Sequence, residues 1–328
     1  MKPKHALSVA VGLACTGFFL WLALRNVNLA DLVRALSSAR WGWLIPMAAI
    51  IIGDLFVRAA RWRVLLSRAR PNAPILELAR LETIGLGVNN VLPARLGELV
   101  RGVLAARRLE MSAFAAFASI VVERALDVAA LLAIFIVASG LEAGFVPPHV
   151  RLTAELALAG AIAALGVLAF AESAVAQGGF VERALRRWPK AHSLLVQLSL
   201  GAAVLREPSA ALQAAALSLA LWSLDAGMYW SGARAMGLGA VMNYPRAVLT
   251  LSWAGASAAL PAAPGGIGTF EAIVKSIVVQ FGATPDQALA FALVCHLLNY
   301  LLVTVASLIL LYRIGLSLAE LRGEVEKG

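Results

Sequence analysis

Three stretches of this apolar chain carry residues that could bind an anion or hold a proton inside a membrane. The first, "NNVLPARLGELVRG", contains Asn90, Arg95, Glu98 and Arg101. Arginine can grip a phosphate through two parallel hydrogen bonds, so this stretch predicts contact with an anionic headgroup. An ordinary helix-surface pair between Glu98 and Arg101, three residues apart, is the alternative.

The second stretch, "VVERALDVAALLAIF", places Glu123, Arg124 and Asp127 in a segment that is otherwise apolar enough to span a membrane. Glu123 and Asp127 share a helix face one turn apart. They repel each other unless a cation, a proton, Arg124 or another arginine offsets their charges. We expect this group to face the Arg95 and Arg101 region across a cavity.

The third stretch, "ALPAAPGGIGTFEAIVKS", interrupts a helix with prolines and restarts one near Thr269. Its glycines, Gly265, Gly266 and Gly268, permit close approach and positive φ. The free amides of the new helix and the positive end of its dipole predict a seat for an anion, such as a lipid phosphate.

Glu271 and Lys275 follow in the same restarted helix, at positions i and i+4. This order favours an ion pair, in which the two side chains simply neutralise each other. Ionisable residues at membrane depth also usually face a cavity or a pathway. Both interpretations place the two residues inside the bundle.

Other polar residues in apolar runs are weaker signals. Asp54 and Arg58 have the spacing of a structural pair, and His296 alone in the last apolar segment is typical of a hydrogen-bonded helix contact. Glu82, Asp225 and Asn299 carry no recognisable pattern.

Motifs for several other chemistries are absent from the sequence. There is no "GK[ST]" after a glycine loop, no "HExxH" and no "CxxC", so we predict no catalytic residues, no metal and no cofactor. The net charge of +9 arises from basic residues between the apolar runs, which argues against a nucleic-acid partner. Transport would have to run down a gradient, couple to ions or depend on a partner.

The composition predicts a polytopic, all-α integral membrane protein. Hydrophobic residues make up 61% of the 328 residues and charged residues only 14%, and the mean hydropathy is +0.82. Six segments are apolar enough to span, and two more are interrupted. The six predicted spans are 6–24, 41–57, 112–139, 152–170, 209–231 and 288–312, and the broken segments are 81–106 and 246–281.

The distribution of lysine and arginine predicts that both termini lie in the cytoplasm, with the broken segments taken as re-entrant helices. Complete crossing by both broken segments is the alternative. The centres "VLPARLGE" and "ALPAAPGG" each have Leu-Pro followed by a glycine four residues after the proline. This likeness predicts one membrane domain, 1–328, built as an inverted-topology repeat of halves 6–139 and 152–312, with a site near the midplane. Chance similarity is the alternative.

The connection 171–208 differs from the others because residues 180–190, read as a helix, place apolar side chains on one face and mostly basic side chains on the other. This pattern predicts a cytoplasmic amphipathic helix, which lies either on an anionic leaflet or on the protein itself.

Taken together, "NNVLPARLGELVRG", "ERALD" and "LPAAPGGIGTFEAIV" resemble the flippase-like family represented by the transmembrane region of lysylphosphatidylglycerol synthase, including its hopanoid-associated members. The resemblance covers about 10–312. It implies a bacterial inner-membrane protein that translocates or handles lipids. The full synthase also carries a soluble aminoacyltransferase domain, whereas this chain ends at Gly328, so synthesis of an aminoacyl lipid is not expected.

Three functions therefore compete at this stage. The first is a lipid flippase whose partners are membrane lipids with polar or anionic heads. The second is an accessory subunit that binds lipid-biosynthetic enzymes, for example in hopanoid metabolism. The third is a membrane-embedded transferase that uses Glu123 and Asp127, the one plausible acidic pair, for metal binding or base catalysis.

Overall fold

A computed structural model describes residues 15–92, 96–176, 202–257 and 264–315. Arg95 and the predicted amphipathic helix 180–190 lie outside the described residues. The described chain is helical throughout, as the composition predicted. Its helices are α1 (Cys15–Leu24), α2 (Leu29–Ser37), α3 (Leu44–Leu65), α4 (Ile75–Val91), α5 (Leu96–Arg108), α6 (Ala113–Leu141), α7 (Pro148–Ala176), α8 (Pro208–Ala235), α9 (Tyr244–Ser257), α10 (Thr269–Gln280) and α11 (Pro285–Arg313).

Four helical segments of the described chain are long and apolar enough to cross a membrane, rather than the six predicted: Trp41–Leu65, Pro148–Phe170, Pro208–Ala235 and Pro285–Arg313. The other two predicted spans correspond to α6 and α1. Helix α6 carries three charged residues near its centre, and the described part of α1 is a shorter apolar helix. Several apolar helices nevertheless make this a multi-pass membrane protein.

The first broken segment folds back on itself as a hairpin of α4 and α5, called here the first hairpin. Helix α4 ends where Leu92 adopts extended dihedrals (φ −98°, ψ 144°), as expected for a residue that precedes a proline. Near the turn, the Gly97 amide donates to Asn89 Oδ1 at 2.8 Å. At the open end, Arg108 pairs with Glu77. The two helices are therefore antiparallel.

The second broken segment forms a similar second hairpin from α9 and α10. At its open end, the Arg246 guanidinium lies 5.4 Å from the centre of the Phe281 ring. At its turn, Pro264–Gly266 is a short 3₁₀ helix, and Gly265, Gly266 and Gly268 all have positive φ (73°, 69° and 87°). The sequence prediction that these glycines serve an unusual backbone is confirmed.

The two hairpins open towards opposite ends of α11. Glu77 and Arg108 of the first hairpin line a depression of about 180 Å³ together with Arg313, the last residue of α11. Phe281 of the second hairpin precedes the start of α11 at Pro285. Beside the middle of α11, Gly265 of the second hairpin lies against Asn90 of the first, and both residues are half-buried.

Close helix packing supports this arrangement. Helix α3 packs on α8, α4 on α11, and α6 on α9. Gly87 of α4 is so close to α11 that a Cβ at this position would lie 2.1 Å from Cβ of Ser307. Small residues allow such approach between helices in membranes, where packing drives association.

Candidate functional site

Seven ionisable side chains from four helices form a buried ion network between the first hairpin and α3 and α6. Three of its members are arginines and four are acids: Arg61, Glu82, Glu98, Arg101, Glu123, Arg124 and Asp127. Five of the seven were predicted as site residues. Arg101 pairs with Glu123 of α6 as predicted, but by direct contact at 3.1 Å rather than across a cavity.

Arg61 of α3 resolves the repulsion expected between Glu123 and Asp127. Its side chain is fully buried, with Nη1 2.5 Å from Asp127 Oδ1 and Nη2 3.4 Å from Glu123 Oε1. Nη1 also donates to the Ser218 hydroxyl at 3.2 Å, and Trp222 Nε1 donates to Asp127 at 3.1 Å. An arginine outside the predicted motifs thus joins α3, α6 and α8.

Arg101 of α5 is held on three sides. Its guanidinium pairs with Glu82 through one nitrogen and with Glu123 Oε1 through the other, at 3.1 Å. Its carbon Cζ lies 4.5 Å from the centre of the Trp62 ring, a cation–π contact. In this conformation Arg101 anchors the first hairpin, and both of its Nη atoms are already engaged by protein carboxylates, whereas Nε has no hydrogen-bond partner among the described residues.

The network reaches a more accessible edge at Arg124 and Glu98. The Arg124 side chain is 36% exposed and that of Glu98 29%, and their charged atoms are 3.8 Å apart. At this separation the pair is loose, while Arg124 also contacts Glu123 and, at 3.1 Å, Asp127. A ligand anion could reach the network at this edge without displacing its fully buried members.

A smaller buried group lies beside the network on α3 and α8. Arg58 Nε donates to Asp54 Oδ2 at 2.6 Å, and Arg58 Nη2 lies 3.4 Å from Asp225. The predicted structural pair of Asp54 and Arg58 is confirmed, and Asp225 joins it from a distant part of the chain.

Glu271 occupies the start of α10, where the sequence predicted a seat for an anion. Its Oε2 accepts a hydrogen bond from the Gly268 amide at 2.7 Å, so a carboxylate of the protein itself caps the helix. Its Oε1 lies 2.6 Å from Nδ1 of His296 on α11. Nε2 of His296 lies 2.9 Å from the carbonyl oxygen of Gly265.

The expected Glu271–Lys275 ion pair does not form. Lys275 Nζ donates instead to backbone carbonyls at the end of α1, at 2.8 Å to Ala23 and 2.5 Å to Arg25. Carbonyl groups in the last turn of a helix lack intrahelical partners and attract cations. Lys275 therefore fastens the second hairpin to α1.

Asn90 brings the first turn to the same place. Its Nδ2 donates to Thr304 Oγ1 at 3.0 Å, and its carbonyl accepts from the Tyr300 hydroxyl at 3.3 Å. Both partners are on α11. Thr269 is buried at the start of α10, and its hydroxyl makes no hydrogen bond with the described residues.

An apolar cavity of about 270 Å³ opens beside the second turn. Glu271, His296 and Tyr300 contribute its polar groups. The remaining lining is hydrocarbon: Leu20, Ala23, Leu24, Leu32, Ile267, Leu289, Leu293 and Leu297. Such a cavity suits part of an acyl or isoprenoid chain with a polar group at one end.

The open end of the second hairpin holds a separate ion pair, outside the apolar spans. Arg246 Nε donates to Glu142 at 2.8 Å, and Asn243 donates to the same carboxylate. Desolvation opposes ionisation of Glu142, but these two hydrogen bonds outweigh it and lower the pKa of the carboxyl below its ordinary value.

The predicted site residues thus fall into two groups. The ion network gathers Glu98, Arg101, Glu123, Arg124 and Asp127. The second group surrounds the middle of α11 and contains Asn90, Gly265, Gly266, Gly268, Thr269, Glu271 and Lys275. Helix α4 links them, because it carries both Glu82 and Asn90. Arg61, Trp62 and Tyr300 were missed, although Asp54, Arg58 and Arg61 recur at helical spacing in an apolar run.

Two hairpins around a spanning helix, with an ion network inside an apolar bundle, define a polytopic membrane protein with an internal polar site. Residues 7–307 match the family described as the lysylphosphatidylglycerol synthase TM region, and the chain belongs to this family. The resemblance seen in the sequence is confirmed.

The chain is also similar to a protein named glycosyltransferase AglD from Haloferax volcanii. The two are 26% identical over 90% of this chain and 53% of that protein. The chain therefore spans about half the length of this curated relative. No solved structure matches the chain.

Proposed function

We propose that this protein moves a lipid with a polar or anionic head between the leaflets of a bacterial inner membrane, without hydrolysing ATP. The observation that carries the proposal is the meeting of the two hairpin turns beside the middle of α11. Non-helical backbone at membrane depth persists where protein buries it or where it lines a polar cavity. Two such turns from opposite faces suit a site at the midplane.

Paired packing of equivalent helices supports an inverted repeat and re-entrant hairpins. If each half contributes a span, a second span, a hairpin and a last helix, α3 corresponds to α8 and α6 to α11. The first hairpin then packs on the last helix of the second half, and the second hairpin on the last helix of the first half. With both termini in the cytoplasm, the first hairpin enters from the cytoplasmic face.

Headgroup contact is assigned to accessible positions near the turns. Arg124 and Glu98 offer a partly exposed charged pair at the network edge, and Arg95 precedes Glu98 by three residues in the sequence. At the second turn the headgroup is assigned to the Gly266 backbone, because the Gly268 amide already donates to Glu271. The apolar cavity beside Glu271 accommodates hydrocarbon. Arg101, Glu123 and Asp127 hold this surface in place.

The experiment is transbilayer movement of a fluorescent lipid in phosphatidylcholine vesicles that contain the purified full-length protein. With the wild-type protein, an external quencher should remove the fluorescence of inner-leaflet lipid faster than in protein-free vesicles. The Arg124→Gln variant should move the lipid more slowly than the wild type. Arg151→Gln, which alters an exposed pair with Glu155, is the matched control. If vesicles with protein move both a phosphatidylglycerol probe and a phosphatidylethanolamine probe no faster than protein-free vesicles do, the proposal is contradicted.

A second candidate is a lipid-linked glycosyl transfer, favoured by the name of the Haloferax relative, glycosyltransferase AglD. It predicts that purified protein transfers label from a nucleotide sugar into a lipid extract. Retention of all label in the aqueous phase would exclude this reaction under the assay conditions. An accessory role in lipid biosynthesis predicts instead altered lipid synthesis, with no movement in vesicles.

A further inference from the structure

The His296 ring lies between two hydrogen-bond acceptors. Nδ1 is 2.6 Å from the Glu271 carboxylate, and Nε2 is 2.9 Å from the carbonyl oxygen of Gly265. A neutral imidazole carries only one N–H, and a carbonyl oxygen can only accept. With neutral His296 and ionised Glu271, one of these two short contacts would bring two lone pairs together.

One additional proton removes this conflict. It can reside on the ring, giving an imidazolium that donates to both acceptors, or on Glu271, giving a carboxylic acid that donates to Nδ1 while Nε2–H donates to Gly265. Both forms have no net charge. Without the proton the pair carries one negative charge, in side chains that are only 11% and 7% exposed.

The surroundings compensate that charge only on the Oε2 side of Glu271, where the Gly268 amide and the start of α10 stabilise a carboxylate. The lining of the adjacent cavity is otherwise leucine, isoleucine and alanine, apart from Tyr300. The Tyr300 hydroxyl is directed to the Asn90 carbonyl, and Lys275 is directed to the end of α1. Phe270 covers His296, with ring centres 4.4 Å apart. No cationic side chain of the described residues pairs with the Glu271–His296 group, so burial still disfavours its negatively charged form.

We propose that Glu271 and His296 form a binding site for one exchangeable proton, and that this proton fastens the second hairpin turn to α11. The three participating groups belong to α10, α11 and the turn itself. Loss of the proton weakens either the Nδ1 contact to Glu271 or the Nε2 contact to Gly265. Since Gly265 also lies against the first turn, the proton would control the junction of both hairpins.

A proton bound at this site would act as the coupling ion for transport. The sequence shows no nucleotide-binding motif, so a proton gradient would take the place of ATP as the energy source. Lipid movement would then respond to a proton gradient, because one position of the turn is favoured with the proton bound and another without it. This coupling rests on the proposed lipid movement, whereas proton binding itself does not.

Proton binding is tested by spectroscopy on the full-length protein in bilayers at pH 7.5. Nitrogen NMR of histidine-labelled protein reports how many ring nitrogens of His296 are protonated, with His296→Asn for assignment. Infrared spectra report a protonated Glu271, assigned by its loss in Glu271→Gln. We expect one of the two protonated forms in the wild type, and a neutral His296 in Glu271→Gln, because an amide can donate to Nδ1. Neutral His296 beside ionised Glu271 in the wild type would overturn the proposal.

Coupling is tested separately in vesicles with an imposed pH difference. We expect the wild-type rate to change several-fold with the direction of the gradient, and Glu271→Gln to move lipid at a rate independent of it. Gradient-independent movement by the wild type would overturn coupling while leaving the spectroscopic result intact. Absence of movement under every gradient would instead count against the proposed function.

Discussion

Gly265 of the second hairpin lies directly against Asn90 of the first. A Cβ at position 265 would stand 3.3 Å from the Asn90 carbonyl oxygen and 2.5 Å from Cε2 of Tyr300. The Asn90 carbonyl is one of the last in α4, where a helix leaves its carbonyls without intrahelical partners, and Tyr300 donates to it. The junction of the two hairpins is therefore fixed by backbone contacts and by α11.

Substitution of Gly266 and Gly268 separates the effect of backbone conformation from that of packing. Both have positive φ, which costs an alanine roughly 1–2 kcal/mol. Gly266 has open space around its missing Cβ, whereas a Cβ at Gly268 would lie 3.1 Å from the Leu20 nitrogen and the Thr16 carbonyl oxygen. We expect Gly268→Ala to lower the melting temperature in detergent more than Gly266→Ala does.

The same positions test the role of the turn in transport. Gly266→Val and Gly268→Val should both lose lipid movement, provided that they insert and remain folded. Gly160→Val is a suitable control, since Gly160 also has open space but lies within helix α7. Wild-type rates of lipid movement in all three variants would mean that the turn serves only to fit the chain into the bundle.

Removal of Arg61 should destabilise the protein strongly. Arg61→Met removes the fully buried partner of Glu123 and Asp127 and leaves the pair to the partly exposed Arg124, and breaking a buried pair in this way costs about 3–5 kcal/mol. Arg151→Met removes an exposed pair with Glu155 within one helix and should change stability little. Thermal unfolding in detergent measures both, and similar melting temperatures for the two variants would refute the role assigned to Arg61.

Hydropathy and proline positions predicted much of this architecture. The runs around α3, α7, α8 and α11 are long and apolar, and the Leu-Pro pairs mark the turns of both hairpins because proline stops a helix locally. The residues that these charged side chains contact in the folded protein could not be predicted in this way. Arg61 contacts Asp127 across 66 residues, and Lys275 contacts a backbone carbonyl 250 residues away. Backbone carbonyls have no sequence signature, so the Glu271–Lys275 spacing suggested a pair that the fold does not make.

The Glu142–Arg246 contact predicts a pH-dependent contribution to stability. The pKa of Glu142 is lower in the folded protein than its ordinary value of 4.5, so its contribution is fully present above that value and is lost as the pH falls through the folded pKa. Lowering the pH from about 7 to about 4 should therefore destabilise the wild type more than Glu142→Gln, since the amide does not titrate. Melting temperatures at both pH values measure the difference, and parallel curves would contradict it.

Variants of Arg101 test whether this arginine binds the lipid headgroup or holds the first hairpin in place. If Arg101 is an anchor, Arg101→Gln should be unstable because Glu82 and Glu123 remain buried with less compensation. Adding Glu82→Gln removes one of these charges, so the double variant should regain part of the lost stability.

Lipid movement then distinguishes the two roles of Arg101. For an anchor, the transport rate should recover together with the melting temperature in the Glu82→Gln, Arg101→Gln double variant. For a headgroup ligand, stability would recover while transport of an anionic probe stayed low, because the guanidinium itself would be required. The contacts of Arg101 to Glu82, Glu123 and Trp62 favour joint recovery. Recovery of stability alone would move Arg101 from the supporting network into the lipid-binding site.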